Sequence, residues 1–222
     1  MKPLTHAEIM KISRARGMEG LRAVGAIPPT DKGIRRQWLG LRPVGGFHVC
    51  YIDPPWRFDT HSEKGQKKSP SQHYPTMTAG EVLALPVPLL LADNAAVYCW
   101  TTIPHLELGI LCLTAWGVTY RGHRAWPKAR QTMGYWTFGC HEILLIGAKG
   151  SGICPKPGTQ PISLIGEPDQ REHSRKPDSV IDELDRAHPT ARKIEVFGRS
   201  PAPGWVGWGN EYGRFHRAQR GA

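Results

Sequence analysis

FHVCYIDPPW, residues 47–56, decides how this chain is read. Phe47 to Ile52 is a compact strand candidate, and Asp53-Pro-Pro-Trp56 ends it abruptly. The two prolines hold φ near about −65° and donate no backbone N–H, so their carbonyls point in set directions. An acid before them adds a charged acceptor, and a tryptophan after them adds a broad π-face. A rigid set of acceptors beside a stacking surface suits recognition of an exocyclic amino group on a planar base. Taken alone, the string reads equally well as a strand ended by a Pro-Pro turn with Trp56 in the core.

Working outward, strands and helices alternate. Thr5-His-Ala-Glu8 is a capping box that opens a basic helix to about Arg16. Residues 17–46, rich in Gly, Pro and Arg, read as an arm rather than a packed domain. A polar loop with Lys64, Lys67 and Lys68 runs to Tyr74, and Thr78-Ala-Gly-Glu81 is a second capping box. Strands are expected at Ala95–Trp100, Thr119–Ala125, Glu142–Gly147 and Lys193–Phe197, with helices at His105–Trp116 and Pro177–His188. Residues 127–139 read as a basic, aromatic loop. The alternation predicts an α/β sandwich with a mainly parallel sheet. In such folds ligands bind beyond the carboxyl ends of strands, where Asp53 and Phe197-Gly-Arg199 both fall. The expected organisation is a basic helix and arm over 1–46, one domain over 47–212 and a basic tail over 213–222.

Composition narrows the function. The 222 residues are 40% hydrophobic and 22% charged, with 29 Lys and Arg against 19 Asp and Glu, a net charge of +10. Residues 1–42 carry nine basic and three acidic side chains, an excess of +6. That balance points to a polyanionic partner, nucleic acid before anionic lipid. The longest apolar stretch, Leu83 to Ala92, contains Pro86 and Pro88 and is too short for a membrane helix. The first twenty residues hold charges throughout, unlike a signal peptide. Five cysteines without any C-x-x-C pair argue against a disulfide framework and a zinc site. A reduced, metal-free protein away from membranes is expected.

Many short strings occur in one family's order. They include Asp53-Pro-Pro-Trp56, His73-Tyr-Pro-Thr-Met77, Leu106-Glu-Leu-Gly109 with Trp116-Gly117, and Trp126-Pro-Lys128. Gly134-Tyr-Trp136, His141 through Gly147, Arg175-Lys-Pro-Asp178, Arg192 through Arg199, Trp205 and Gly209-Asn210 complete the set. From about Val49 to Glu211 the chain resembles the S-adenosylmethionine-dependent adenine N6-methyltransferases that carry a DPPW motif. That family includes the catalytic subunit of the mRNA adenosine methyltransferase. The resemblance implies a Rossmann-like methyltransferase sandwich with permuted motif order, the catalytic motif preceding the cofactor loop.

It also implies roles. Asp53, Pro54, Pro55 and Trp56 are expected to act on the amine, with Trp56 and Tyr74 as base-stacking candidates. Lys176 resembles the lysine that meets the cofactor carboxylate, although alone it reads as a solvated helix-start lysine. Asp53, Phe197, Gly198, Arg199, Asn210 and Glu211 match the cofactor side, with Glu211 where a glutamine is common. Pro201-Ala202 stands where the family has a His-Asn pair. Glu195 is equally a ribose acceptor or a partner of Arg199, and His141 and Glu142 also read as plain strand residues. Lys64, Lys67, Lys68, Arg121, Arg124, Trp126, Lys128 and Arg130 make two surfaces suited to phosphate contact and base stacking. The expected activity is methylation of adenine N6 in DNA, with RNA methylation and a non-catalytic nucleic-acid binder as alternatives. A monomer or homodimer is favoured over an obligate heterodimer. The expected compartment is the cytoplasm of a bacterial or phage-infected cell, or the nucleus if the source is eukaryotic.

Overall fold

A computed structural model describes residues 3–57, 75–132, 134, 136–166 and 175–215. At its centre lies β1 (Phe47–Ile52), buried at five of six positions. Alternate residues face opposite sides, so Cys50 and Ile52 enter one core and Val49 and Tyr51 the other. A strand covered on both faces needs little polar alternation, which is why this run is so apolar.

β1 pairs in parallel with β2 (Leu91–Thr102) on one side and β5 (Lys193–Val196) on the other. β5 pairs in parallel with β6 (Trp205–Trp208). Beyond β2 the direction reverses: β4 (Gly139–Lys149) is antiparallel to β2, and β3 (Thr119–Thr132) is antiparallel to β4. The order is β3-β4-β2-β1-β5-β6. The sheet is therefore mixed, with two antiparallel pairs beside three parallel ones. β3 and β4 follow one another as a hairpin, without the crossover helix that a parallel pair requires.

β3 also runs well into the segment read as a loop. Pro127 is tolerated because β3 is an edge strand, and on its outer side Ala125 N–H already bonds out of the sheet, to the Ser163 carbonyl at 2.8 Å. β1 has its parallel neighbours on opposite sides, which makes its carboxyl end the switch point of the sheet.

The helices are α1 (His6–Ala23), α2 (Lys32–Leu41), α3 (Ala79–Leu83), α4 (Val87–Leu90), α5 (Leu106–Ala115) and α6 (Asp178–Ala187). Both capping boxes form, Thr5 with Glu8 and Thr78 with Glu81. α1 is interrupted at Gly17, whose φ of 59° suits only glycine. Residues 17–46 are not a loose arm. Leu21 and Trp38 are fully buried in the same core as Phe47, Cys50 and Ile52, together with Ile9 and Met10 of α1. Their glycines and prolines mark breaks and turns between packed helices, and composition alone does not separate those two cases. The opposite face is covered by α6 through Val180, Ile181 and Leu184. Among the described residues no helix is long and apolar enough to cross a membrane.

Candidate active site

Asp53 continues the ladder one residue past β1, its N–H donating to the Val196 carbonyl at 3.1 Å. The next carbonyls are partly engaged: Pro54 accepts from Trp56 N–H and Pro55 from Met77 N–H, each at 2.8 Å. A carbonyl oxygen has two lone pairs, so each keeps one.

Trp56 itself is 5% exposed, and its indole N–H donates to the Trp100 carbonyl at 3.1 Å. Its ring stacks on His105 with centroids 5.5 Å apart, and His105 stacks in turn on His6 of α1 at 5.2 Å. His105 Nε2 lies 3.2 Å from the Arg57 carbonyl and Nδ1 lies 2.9 Å from Thr102 Oγ1. A carbonyl only accepts, so Nε2 carries the proton and Nδ1 accepts from the hydroxyl. The expectation that Trp56 offers its face to a base is thus corrected. A histidine from a distant segment takes that face, and Trp56 pins the Pro-Pro turn in place.

A line of alternating charges runs from Asp53 into the β3–β4 pair. Lys176, just before α6, places Nζ 2.9 Å from Asp53 Oδ2 and 3.2 Å from Glu142 Oε2. Lys128 Nζ lies 3.1 Å from Glu142 Oε1 and 3.5 Å above the Trp126 ring. Strand register sets this geometry, because Glu142 pairs with Thr102 on β2 and Trp126 on β3. Burial holds the Asp53 carboxyl above the ordinary aspartate range, with Lys176 pulling it the other way. Burial would also raise Glu142, but Lys176 and Lys128 together outweigh it and leave that carboxyl below its ordinary value.

Two expected surface residues are core residues instead. Trp126 is 1% exposed and forms a floor beneath Lys128. Arg124 is 2% exposed, bonded to Glu183 Oε2 at 2.5 Å and the Ile162 carbonyl at 2.7 Å. Its cation is neutralised by a helix 59 residues away, so it faces no phosphate. Arg121 and Arg130 are exposed. Lys64, Lys67, Lys68 and Tyr74 lie outside the described residues.

On the other side of β1, Phe197 follows β5 with φ of 61°, the one non-glycine with positive φ among the described residues. Such strain gathers where the surroundings impose a conformation. Here Phe197 N–H donates to the Trp208 carbonyl at 2.6 Å, and its ring meets Trp208 edge-on at 5.1 Å. Gly198 leaves room for Glu195: a Cβ would stand 2.2 Å from its Cδ, and that side chain, buried beneath the turn, would have to move. Arg199 Nε pairs with Glu211 Oε2 at 2.8 Å, and Arg214 reaches the same carboxylate.

These groups border one cavity of about 790 Å³ along the sheet's carboxyl edge. Asp53, Glu142, Lys176, Arg199, Asn210 and Glu211 line it. Ile34 and Gln37 of α2 line it too, Gln37 Oε1 accepting from the Trp208 indole at 2.8 Å. Reading 17–46 as an arm misses those two, although Asp31 capping α2 four residues before Arg35 was a visible helix-start signal. Among the described residues no three His, Cys, Asp or Glu side chains gather as metal ligands.

The MT-A70 profile matches residues 47–211, a span that contains this cavity's Asp53, Glu142, Lys176, Arg199 and Glu211. The chain belongs to the MT-A70 family. MT-A70 proteins are S-adenosylmethionine-dependent N6-adenine methyltransferases with a Rossmann-like α/β fold, and this mixed six-stranded sheet fits that fold. The chain is 31% identical to the type II methyltransferase M.MunI of Mycoplasma over 185 residues, covering 76% of this chain and 79% of that protein. It is 30% identical to the human N(6)-adenosine-methyltransferase catalytic subunit METTL3 over 211 residues. That match covers 87% of this chain but only 34% of METTL3, so the chain spans about a third of that relative. A Drosophila melanogaster MT-A70-like methyltransferase is 32% identical over 185 residues, 79% of this chain and 28% of its own.

Proposed function

We propose that this MT-A70 chain methylates adenine N6 in DNA. The observation that carries the reading is Asp53, a carboxylate held at the switch point of the sheet, facing a cavity of about 790 Å³ and paired with Lys176 at 2.9 Å. The residues present fit S-adenosylmethionine by the chemistry of their donors. Lys176 offers a cation for the amino-acid carboxylate. Ile34, Phe197 and Trp208 offer apolar surface, and Gln37, Asn210, Arg199 and Glu211 offer polar groups suited to a nucleoside. When bound, the cofactor supplies a methyl group activated on a sulfonium.

The remaining work falls to the chain. The N6 lone pair of adenine is delocalised into the ring and is a weak nucleophile. Asp53 accepts one N6–H, and the free lone pair of the Pro54 carbonyl accepts the other, which concentrates the lone pair on nitrogen. A charged acceptor does this more strongly than a neutral one. Burial around Asp53 strengthens the effect by excluding water. Trp56 keeps both acceptors in register through its bond to Trp100 and its stack on His105. Glu195 and Gly198 shape the turn on the cofactor side. Arg130, exposed on the cavity rim, supplies a cation for phosphates.

Support for DNA comes from the likeness to M.MunI, a type II methyltransferase, which extends over most of that protein's length. RNA is the second reading, favoured by the likeness to METTL3. Transfer of labelled methyl to duplex DNA, separated strands and RNA of matched sequence, with nucleoside analysis, separates the two. N6-methyladenine in DNA is the expected product. Asp53→Asn keeps an acceptor but loses the charge, and its rate is expected to fall about a hundredfold. Methylation of another base, or near-normal turnover by Asp53→Asn, refutes the reading.

A further inference from the structure

Removing a base from a stacked duplex leaves a gap, which proteins commonly fill with an aromatic or apolar side chain. Among the described residues, the tryptophans in and beside this site are committed elsewhere. Trp56 is pinned between Trp100 and His105, and Trp126 lies beneath Lys128. Trp208 is held by Gln37, Trp38 and Phe197.

The connection between β3 and β4 offers what those rings cannot. Trp136 is 99% exposed and Phe138 is 58% exposed. Thr132 and Gly139 close the hairpin as a strand pair, with Thr132 Oγ1 donating to the Gly139 carbonyl at 3.1 Å. Gly134 permits the tight tip, since a Cβ there would stand 2.3 Å from the Thr137 carbonyl oxygen. The same two strands form a wall of the cavity, through Lys128, Arg130 and Thr132 of β3 and Gly139, His141 and Glu142 of β4. The exposed rings therefore project from an element that borders the chemistry. Arg130 lies exposed on β3 two residues before that closing pair, and the chain carries a net charge of +10. Bare aromatic rings near an unburied cation suit a polyanion with stacked bases better than an apolar protein surface.

We propose that the β3–β4 tip enters a nucleic-acid duplex and that Trp136, with Phe138, fills the stack from which the adenine is taken. The inference rests on the adenine-methylating reading above. Arg130, on the cavity rim, engages the flanking backbone.

The test measures methyl transfer to mixed-sequence linear duplex DNA and to the same DNA after strand separation. Wild type, Trp136→Ala and Trp136→Phe are compared, and the oligomeric state of each is followed by sedimentation. Loss of one base–aromatic stack is worth roughly five- to a hundredfold, so Trp136→Ala should lose that much rate on duplex DNA. On separated strands it should stay within about threefold of wild type, and Trp136→Phe should recover part of the duplex rate. Equal losses on both substrates, no loss on duplex, or a wild type that acts only on separated strands would overturn the wedge while leaving the methylation reading standing. A change of oligomeric state in Trp136→Ala would overturn it in favour of contact between copies of the chain. A wild type that transfers no methyl to adenine in either substrate would refute the reading of the activity, and the wedge with it.

Discussion

Replacing Lys176 by Met removes the charge that two buried carboxylates share and keeps the stem near Trp100, over whose ring Nζ now sits at 5.5 Å. Breaking a buried ion pair by deleting one partner costs about 3–5 kcal/mol. Lys176, Asp53 and Glu142 keep between 15% and 24% of their side-chain surface exposed, and Glu142 retains Lys128, which argues for the lower end. A loss of about 3 kcal/mol lowers Tm by roughly 6–12 °C in a chain of this size. The sign with pH follows from linkage. Asp53 already has a raised folded-state pKa, which losing Lys176 raises further, and Glu142 loses one of the two cations that hold its carboxyl below the ordinary value. A carboxyl raised on folding costs stability above its unfolded value, and the cost grows until pH passes the folded value. Thermal unfolding without cofactor should therefore show the full deficit near about pH 8 and a much smaller one near about pH 4. A deficit of the same size at both, or a Lys176→Met protein as stable as wild type near pH 8, refutes a shared charge at this site.

Trp38→Ala tests whether α2 belongs to the core; urea unfolding should show a loss of about 3–5 kcal/mol, where an arm residue would show almost none. His6→Ala removes the outer ring of the stack behind Trp56 and should lower Tm by about 1–6 °C, with His6→Phe restoring most of it. Reversing the charges of Arg16, Arg35 and Arg36, all exposed, should weaken binding of every DNA sequence alike. The slope of log affinity against log salt should become shallower by roughly 0.9 for each phosphate that is no longer neutralised. Arg14 is left out of that set because Glu107 already pairs with it. An unchanged slope would leave the strands around Arg121 and Arg130 as the surface that meets the polyanion.

What the sequence determined by itself is local or directional. The apolar run of β1 needs only its own residues to declare a buried strand, and two prolines stop it whatever surrounds them. The capping boxes at Thr5 and Thr78 form as written because donor and acceptor lie three residues apart. The order of the motif strings runs through the span that the MT-A70 profile matches and brought Asp53, Lys176, Arg199 and Glu211 into consideration, and all four line one cavity. Tertiary structure decided everything that depends on a distant partner. Trp56 gave up its stacking face to His105, 49 residues on, and Arg124 became a core cation because Glu183 lies opposite. Glu142 turned from an ambiguous strand residue into the link between Lys128 and Lys176 through the register of β4 between β2 and β3. Residues 17–46 became part of the fold for the same reason. Whether Leu21 and Trp38 are buried depends on the sheet face they meet, and that face is built from strands up to about 170 residues further along the chain.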